Sequence, residues 1–393
     1  MIKVFLLCSG LGHVNRGYES FTRECFDVLS QVDCLDITLF KGGGKSSKKE
    51  IPLWNLPREK WTSLQISQVV GLLIRRNDSY FTEQISFFAS LLPYIYLGKP
   101  DVIYFSDESL GDLLWHWRRR TKQSYKLLFS NGGPTSTIQN IVRWDHVHQV
   151  APIHLQAALD IGLPAQKQSL VPYGINMPSN VQILTPTERD ALRSRLGLPE
   201  QRPLILSVAA IDKSRKRMDY LIHEVAALPE PRPYLLLVGQ QTEESPEIFQ
   251  LGNELLGADN FQIRTVTHNE VKNYYEIADA FVLTSLIEGF GRVFVEAMSH
   301  GLPCMAHDYE IAHFVLGKEG YFTDFQLMGS LTGLIPQALA ESHEPSKRYL
   351  RHQSVYNRFS WEKLRPDYIK LIESCKNSEM SLVKSVYCLA KQS

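Results

Sequence analysis

Short apolar runs alternate along the chain with longer stretches in which apolar residues recur every three or four positions. Val4 to Leu7, "CLDITLF" (34–40), "DVIYFS" (101–106) and "KLLFSNGG" (126–133) predict strands. Tyr18 to Leu29 and "SYFTEQISFFASLLPYIYL" (79–97) predict helices between them. From about residue 177 to 202 the chain turns polar, with prolines at the edges, and reads as a boundary. The alternation then restarts with "LILSVAA", "MDYLIHEVAAL", "YLLLVGQ", "FQIRTV", "NEVKNYYEIA", "AFVLTSL", "RVFVEAMSHG" and "PCMAHD". Such alternation predicts parallel sheets with helices on both faces. Two runs of it predict two doubly wound α/β domains facing each other across a cleft, with ligands just beyond the carboxyl ends of the strands.

Composition narrows the class. The 393 residues carry 42 Lys+Arg and 42 Asp+Glu, so the basic excess expected of a general nucleic-acid binder is missing. No cysteine pair has C-x-x-C spacing, and most cysteines lie in apolar runs, which suits buried thiols in a reducing compartment. The N-terminal apolar run is about five residues long and reads as a strand, not a signal peptide. No stretch reaches the ~20 apolar residues of a membrane span.

Three glycine-bearing loops are candidates for phosphate. "KGGGKSSKKE" (41–50) ends like a triphosphate loop at Gly44-Lys45-Ser46, but a glycine is missing five positions earlier and Ile51-Pro52 is a poor helix start. It reads as a mobile basic loop. "SGLGHVNRG" (9–17) places Gly10 and Gly12 as a dinucleotide fingerprint would, but Asn15 stands at the third position. "FVLTSLIEGFGRVFVEAMSHGLP" (281–303) is the most informative. A buried strand, Phe281 to Leu286, delivers Glu288, then Gly289-Phe290-Gly291, then a helix from Arg292 whose free N–H groups suit a diphosphate. Glu296, one turn inside, can accept from ribose hydroxyls. A surface acid and an unrelated helical acid are the plainer alternative.

Glu288 and Glu296, with seven residues between them, resemble the E-x(7)-E motif of the retaining glycosyltransferases of family 4. "VPYGIN" (171–176), "VAAIDKSRKRMDYLI" (208–222), "VTHNEVKNYYEIADAFVLTS" (266–285) and "FSWEKL" (359–364) resemble other segments of that family in the same order. The resemblance implies a GT-B fold of two Rossmann-like domains. Residues 1–177 would form the acceptor domain and 178–371 the donor domain, with a helix near 372–393 packing back on the first. It implies a retaining transfer of a hexose from a nucleotide diphosphate sugar, a UDP-sugar favoured and GDP-mannose retained, to a hydroxyl of a glycan, lipid or small molecule.

By the same resemblance Glu296 would hold the ribose, and Glu288 with Gly289, Phe290, Gly291, Arg292 and Val293 would hold sugar and phosphates. Lys216 and Gly12 would approach the diphosphate, and Val266 the base. Where the family often has an arginine this chain has Ala210, so Lys213, Arg215 or Arg217 is left to supply a second cation. Where the family often has a sugar-facing His the chain has Asn131, which bonds hydroxyls but takes up no proton near neutrality. Asn131 and Glu288 are the catalytic candidates, and the loops 10–17, 42–49, 106–111 and 131–136 would shape the acceptor side. A catalytically weak, transferase-like binder acting as regulator or scaffold is the alternative.

The sequence lacks D-x-D, so helix amides and Lys216 are expected to neutralise the diphosphate with no metal and no other cofactor. "HVH" (146–148) puts two His on one face of a strand without a third ligand nearby. "WHWRRRTKQSYK" (115–126) mixes aromatic and basic residues and reads either as a membrane-surface contact or as the basic end of an ordinary helix. A cytoplasmic protein, with peripheral contact at the inner membrane face as an option and no nucleic-acid partner, is expected.

Overall fold

The computed structural model describes residues 1–14, 16–57, 79–132 and 141–380. Internal contacts divide the chain into two units, Met1–Gly174 with the segment from Leu364 on, and Ile175–Lys363.

In the first unit the apolar runs form strands β1 (Ile2–Cys8), β2 (Leu35–Lys41), β3 (Glu50–Pro52), β4 (Val102–Phe105), β5 (Lys126–Asn131), β6 (His146–Gln149) and β7 (Gln168–Leu170). They pair in parallel in the order β3-β2-β1-β4-β5-β6-β7. Helices cover the faces, so central strands are buried on both sides and read as continuous apolar runs. Phe5, Leu7, Ile103, Phe105, Leu127, Phe129 and Trp144 share one core with Phe87, Leu91 and Ile95 of the helix Ser79–Gly98. The helix Gly17–Leu29 buries Phe21, Cys25, Phe26 and Leu29 at helical spacing.

The second unit repeats the plan with β8 (Leu204–Val208), β9 (Tyr234–Val238), β10 (Phe261–Arg264), β11 (Ala280–Leu283), β12 (Cys304–His307) and β13 (Gly320–Thr323). All pairs are parallel, in the order β10-β9-β8-β11-β12-β13. The strand order reverses between β8 and β11, and loops beyond their carboxyl ends are where a doubly wound sheet receives a ligand.

The unit boundaries differ from the expected 177/178 and 371/372. Ile175 already belongs to the second unit: its N–H donates to Phe359 O at 2.8 Å, and Trp361 N–H donates to Ile175 O at 3.3 Å. The chain rejoins the first unit at Leu364, inside the helix Trp361–Asn377. Tyr368, Leu371, Ile372 and Cys375 are buried there, and the Tyr368 hydroxyl donates to Pro172 O at 2.9 Å. Most of the expected helix near 372–393, from 381 on, lies outside the described residues.

The polar stretch expected to be a boundary is part of the second unit. Its helix Pro186–Arg195 starts with a capping box between Thr185 and Glu188. Arg193, fully buried, donates to Asp279 Oδ2 at 2.8 Å, and Arg189 pairs with the same carboxylate. Asp279 also accepts from Leu204 N–H at 2.7 Å, tying this helix to β8. A run rich in arginine looks solvated until its buried carboxylate is known.

"KGGGKSS" leads not into a helix but into the short strand β3, so it lacks the helix N-terminus that a triphosphate cradle requires. Its glycines serve close backbone approach rather than mobility. Gly43 N–H donates to Leu11 O at 3.0 Å, and a Cβ on Gly42 would lie 1.8 Å from Ser9 O. Gly42→Ala is therefore expected to lower stability by about 1–3 kcal/mol, read as a drop in melting temperature, since backbone must move to admit it.

The basic aromatic stretch falls at the end of the helix Glu108–Thr121, capped by the Asp107 side chain on Leu110 N–H. Trp115, Arg118 and Tyr125 turn inward, while Arg119, Arg120 and Lys122 are exposed. Among the described residues no helix is long and apolar enough to cross a membrane. His146 and His148 are buried. His148 lies 2.6 Å from both the Tyr104 hydroxyl and Val171 O, and burial pushes its pKa down to about 4. Among the described residues no three metal-ligating side chains cluster.

Candidate functional site

The second unit brings most of the expected donor residues to the carboxyl ends of β8 and β11. Strand β11 stops at Leu283, earlier than the expected Leu286, because Thr284 leaves the sheet to hold a neighbouring loop. Its Oγ1 lies 2.6 Å from Lys216 O and 3.1 Å from Arg217 O. From the other side, Asp212, 2% exposed, accepts from Lys216 N–H at 2.6 Å and Arg215 N–H at 3.0 Å. The loop after β8 is thus fixed by two buried side chains. Its product is the placement of Lys216, whose Nζ lies 2.5 Å from Glu288 Oε1. The side chains are 23% and 15% exposed, so both remain reachable.

Three candidates for a second cation are engaged elsewhere. Lys213 pairs with Glu247, Arg215 with Asp212, and Arg217 donates to Phe325 O at 2.8 Å while lying over the Tyr220 ring. Lys216 alone of this basic run meets Glu288.

Gly289 and half-buried Gly291 flank buried Phe290. Gly291 sits at φ +77° and offers the helix Arg292–Ser299 no side-chain cap, while its carbonyl accepts from Phe294 N–H at 2.9 Å. A backbone in that left-handed region favours glycine. Glu296 lies one turn along, 19% exposed, with Oε1 3.9 Å from Arg292 Nε and Oε2 3.1 Å from the Tyr275 hydroxyl. Burial and the neighbouring Glu296 charge push the Tyr275 hydroxyl pKa well above its usual range, so it stays a donor. Val293 and Val266 are half-buried, and Val266 precedes the helix His268–Ile277 with its Thr267–Glu270 capping box.

Asp212, Thr284 and Tyr275 escaped sequence reasoning. The first two carry their role through backbone contacts, which no spacing announces. Tyr275 appears in the sequence only as one of two adjacent tyrosines in a helix.

Gly12 and Asn131 belong to the first unit. Gly12 has φ +94° and lies against Gly43. Asn131 is 2% exposed, and its amide donates to Gln149 Oε1 at 2.7 Å. Gln149 donates on to Gln168 at 2.8 Å, and Gln168 to Leu163 O at 3.3 Å. This file of amides turns the Asn131 nitrogen inward. Asn15 and the part of the 131–136 loop from 133 on lie outside the described residues.

Comparison with known proteins agrees with this arrangement. Residues 188–353 match the family model described as glycosyl transferases group 1. The lipopolysaccharide glucosyltransferase WaaG of Escherichia coli K12 is 28% identical over 145 residues, 36% of this chain and 37% of that protein. The match thus spans little more than a third of WaaG. Among solved structures, sucrose-phosphate synthase from Thermosynechococcus elongatus superposes with TM-score 0.75 at 20% identity, covering 95% of this chain and 98% of that one. Anabaena HepE, solved in complex with UDP-glucose, superposes with TM-score 0.74 at 16% identity, covering 95% and 100%. The fold is GT-B, with two parallel-sheet α/β units.

Proposed function

We propose that the protein is a retaining glycosyltransferase that moves a hexose from a nucleotide diphosphate sugar to an acceptor hydroxyl, with the donor held by the unit 175–363. The Lys216–Glu288 pair beside the glycine-capped helix that carries Glu296 is the observation behind this reading. A diphosphate at the helix N-terminus meets the positive end of the helix dipole. Lys216 has three N–H donors, so it can bond phosphate while keeping Glu288. The second oxygen of Glu288 is then available to a sugar hydroxyl, and Glu296 to the ribose. Charge developing on the leaving diphosphate is stabilised by groups already in place, with no metal required. A UDP-sugar is the favoured donor, consistent with the ligand of HepE, and GDP-mannose is the second. The acceptor is a glycan, lipid or small molecule. Peripheral membrane contact would fall to Arg119, Arg120 and Lys122.

The inward-turned Asn131 favours a second reading, a binder of nucleotide sugar with weak turnover or none. Saturation-transfer NMR tests both. UDP-glucose, UDP-GlcNAc, UDP-galactose, GDP-mannose, ADP-glucose and ATP are compared with and without EDTA, using wild type, Glu296→Ala and Lys45→Ala. One diphosphate sugar should bind regardless of EDTA, and Glu296→Ala should weaken it strongly. Binding of ATP alone, or loss through Lys45→Ala, overturns the donor assignment. Release of free nucleoside diphosphate from the bound donor, or its absence, separates enzyme from binder.

A further inference from the structure

Glu296 is not a free-swinging side chain. The Tyr275 ring is buried, with its centroid 5.9 Å from that of Phe281 and 5.4 Å from that of His300, the latter nearly parallel at 24°. A ring held on two sides has one direction for its hydroxyl, and that direction meets Glu296 Oε2 at 3.1 Å. His300 belongs to the same assembly, with Nδ1 2.9 Å from the Glu296 carbonyl oxygen. A buried tyrosine hydroxyl needs a partner, and a carboxylate with one oxygen so occupied has its rotamer set before any ligand arrives. Arg292 Nε, 3.9 Å from Oε1, borders the other oxygen.

We infer that Tyr275 is a positioning residue: its hydroxyl fixes Glu296 so that the remaining carboxylate lone pairs select a ribose with intact hydroxyls over a deoxyribose. The inference rests on the donor reading above, in which Glu296 receives the ribose. Tyr275 touches no ligand and acts only through Glu296. The hydroxyl costs the site nothing on binding, because the order it imposes is already present in the free protein.

The test is isothermal titration of the intact protein with UDP, 2′-deoxy-UDP and 3′-deoxy-UDP, and with the GDP and ADP counterparts. The base that binds most tightly is carried forward. Wild type, Tyr275→Phe, Glu296→Ala and the double variant are compared. Tyr275→Phe should weaken the ribonucleotide roughly 3- to 10-fold, the size of one ordinary net hydrogen bond since the tyrosine acts only through Glu296, and weaken at least one deoxy analogue less. In the Glu296→Ala background the same change should have no further effect on discrimination. A merely structural tyrosine would weaken all nucleotides equally and additively. An unchanged ribo-to-deoxy ratio in Tyr275→Phe, with Glu296→Ala lowering it, overturns the positioning role and leaves the donor site standing. An unchanged ratio in Glu296→Ala, or no nucleotide bound by wild type, overturns the donor reading and the inference together. Should Tyr275→Phe melt early, 3-fluorotyrosine at 275 keeps the ring and alters only the hydroxyl's donor strength. An unaltered discrimination ratio there also overturns the inference.

Discussion

Lys216→Ala is expected to lower kcat/KM for sugar transfer by roughly 10²–10³ while leaving the melting temperature nearly unchanged. The size follows from removing a preorganised donor aimed at developing charge. The lysine is held from both sides, by Asp212 under its amide and by Thr284 under its carbonyl, so the alanine variant keeps the loop. Its pair with Glu288 is partly exposed, and such pairs add only about 0–1 kcal/mol to folding. Activity and stability therefore part company at this residue. The measurement is steady-state transfer with the donor that the binding panel identifies, beside a thermal melt. Lys216→Arg should recover part of the loss, since a cation remains, though a planar fork replaces a point charge. Equal loss of melting temperature and rate would assign Lys216 to the framework.

Asp145→Ala is expected to destabilise the first unit by about 3–5 kcal/mol, because it removes a buried partner and leaves the guanidinium in place. Asp145 is fully buried and Arg118 is 1% exposed. Besides pairing with Arg118, Asp145 accepts from Leu127 N–H at 2.7 Å, and Arg118 donates to Tyr125 O at 3.0 Å. One carboxylate thus joins the helix Glu108–Thr121 to β5. Urea unfolding followed by intrinsic fluorescence reads the change as an earlier transition. Asp145→Asn, which retains an acceptor for Leu127, should fall between the two. A shift below about 1 kcal/mol would show that water enters the site.

The stretch around Arg118 also shows where sequence reasoning stops. "WHWRRRTK" looks uniformly basic, and only the fold separates a guanidinium buried on Asp145, 27 positions away, from the exposed Arg119 and Arg120. The same holds for "ERDALRSR", whose Arg193 is buried on Asp279, 86 positions away. Apolar strands of both sheets announce themselves because helices cover both faces, leaving no polar alternation to blur them. The loop from Glu288 to Glu296 was legible because its chemistry is local: acid, glycines, helix start and second acid fall within nine consecutive residues. Lys216 lies 72 positions before Glu288, and only the resemblance to known transferases connected them before the structure did. Tyr275 had neither local spacing nor resemblance to mark it. "KGGGKSS" was rightly not read as a triphosphate loop, but its glycines, expected to make it mobile, instead admit a neighbouring backbone, a use that sequence alone does not distinguish.

The return of the chain to the first unit at Leu364 orders events during synthesis. The unit 175–363 is contiguous, so all its strands and helices have left the ribosome before the first unit receives its last segment. Tyr368 reaches Pro172 and the ring of His148, while Lys126 donates to Ser378 O, sites made some 200–250 residues earlier. At ordinary rates of elongation that interval is about 10–40 s. Throughout it, Pro172, Phe21 and His148 wait for the tyrosine that buries against them. The half of the protein made first is thus the half completed last, and a nascent chain halted before Leu364 presents a finished second unit beside an unfinished first one.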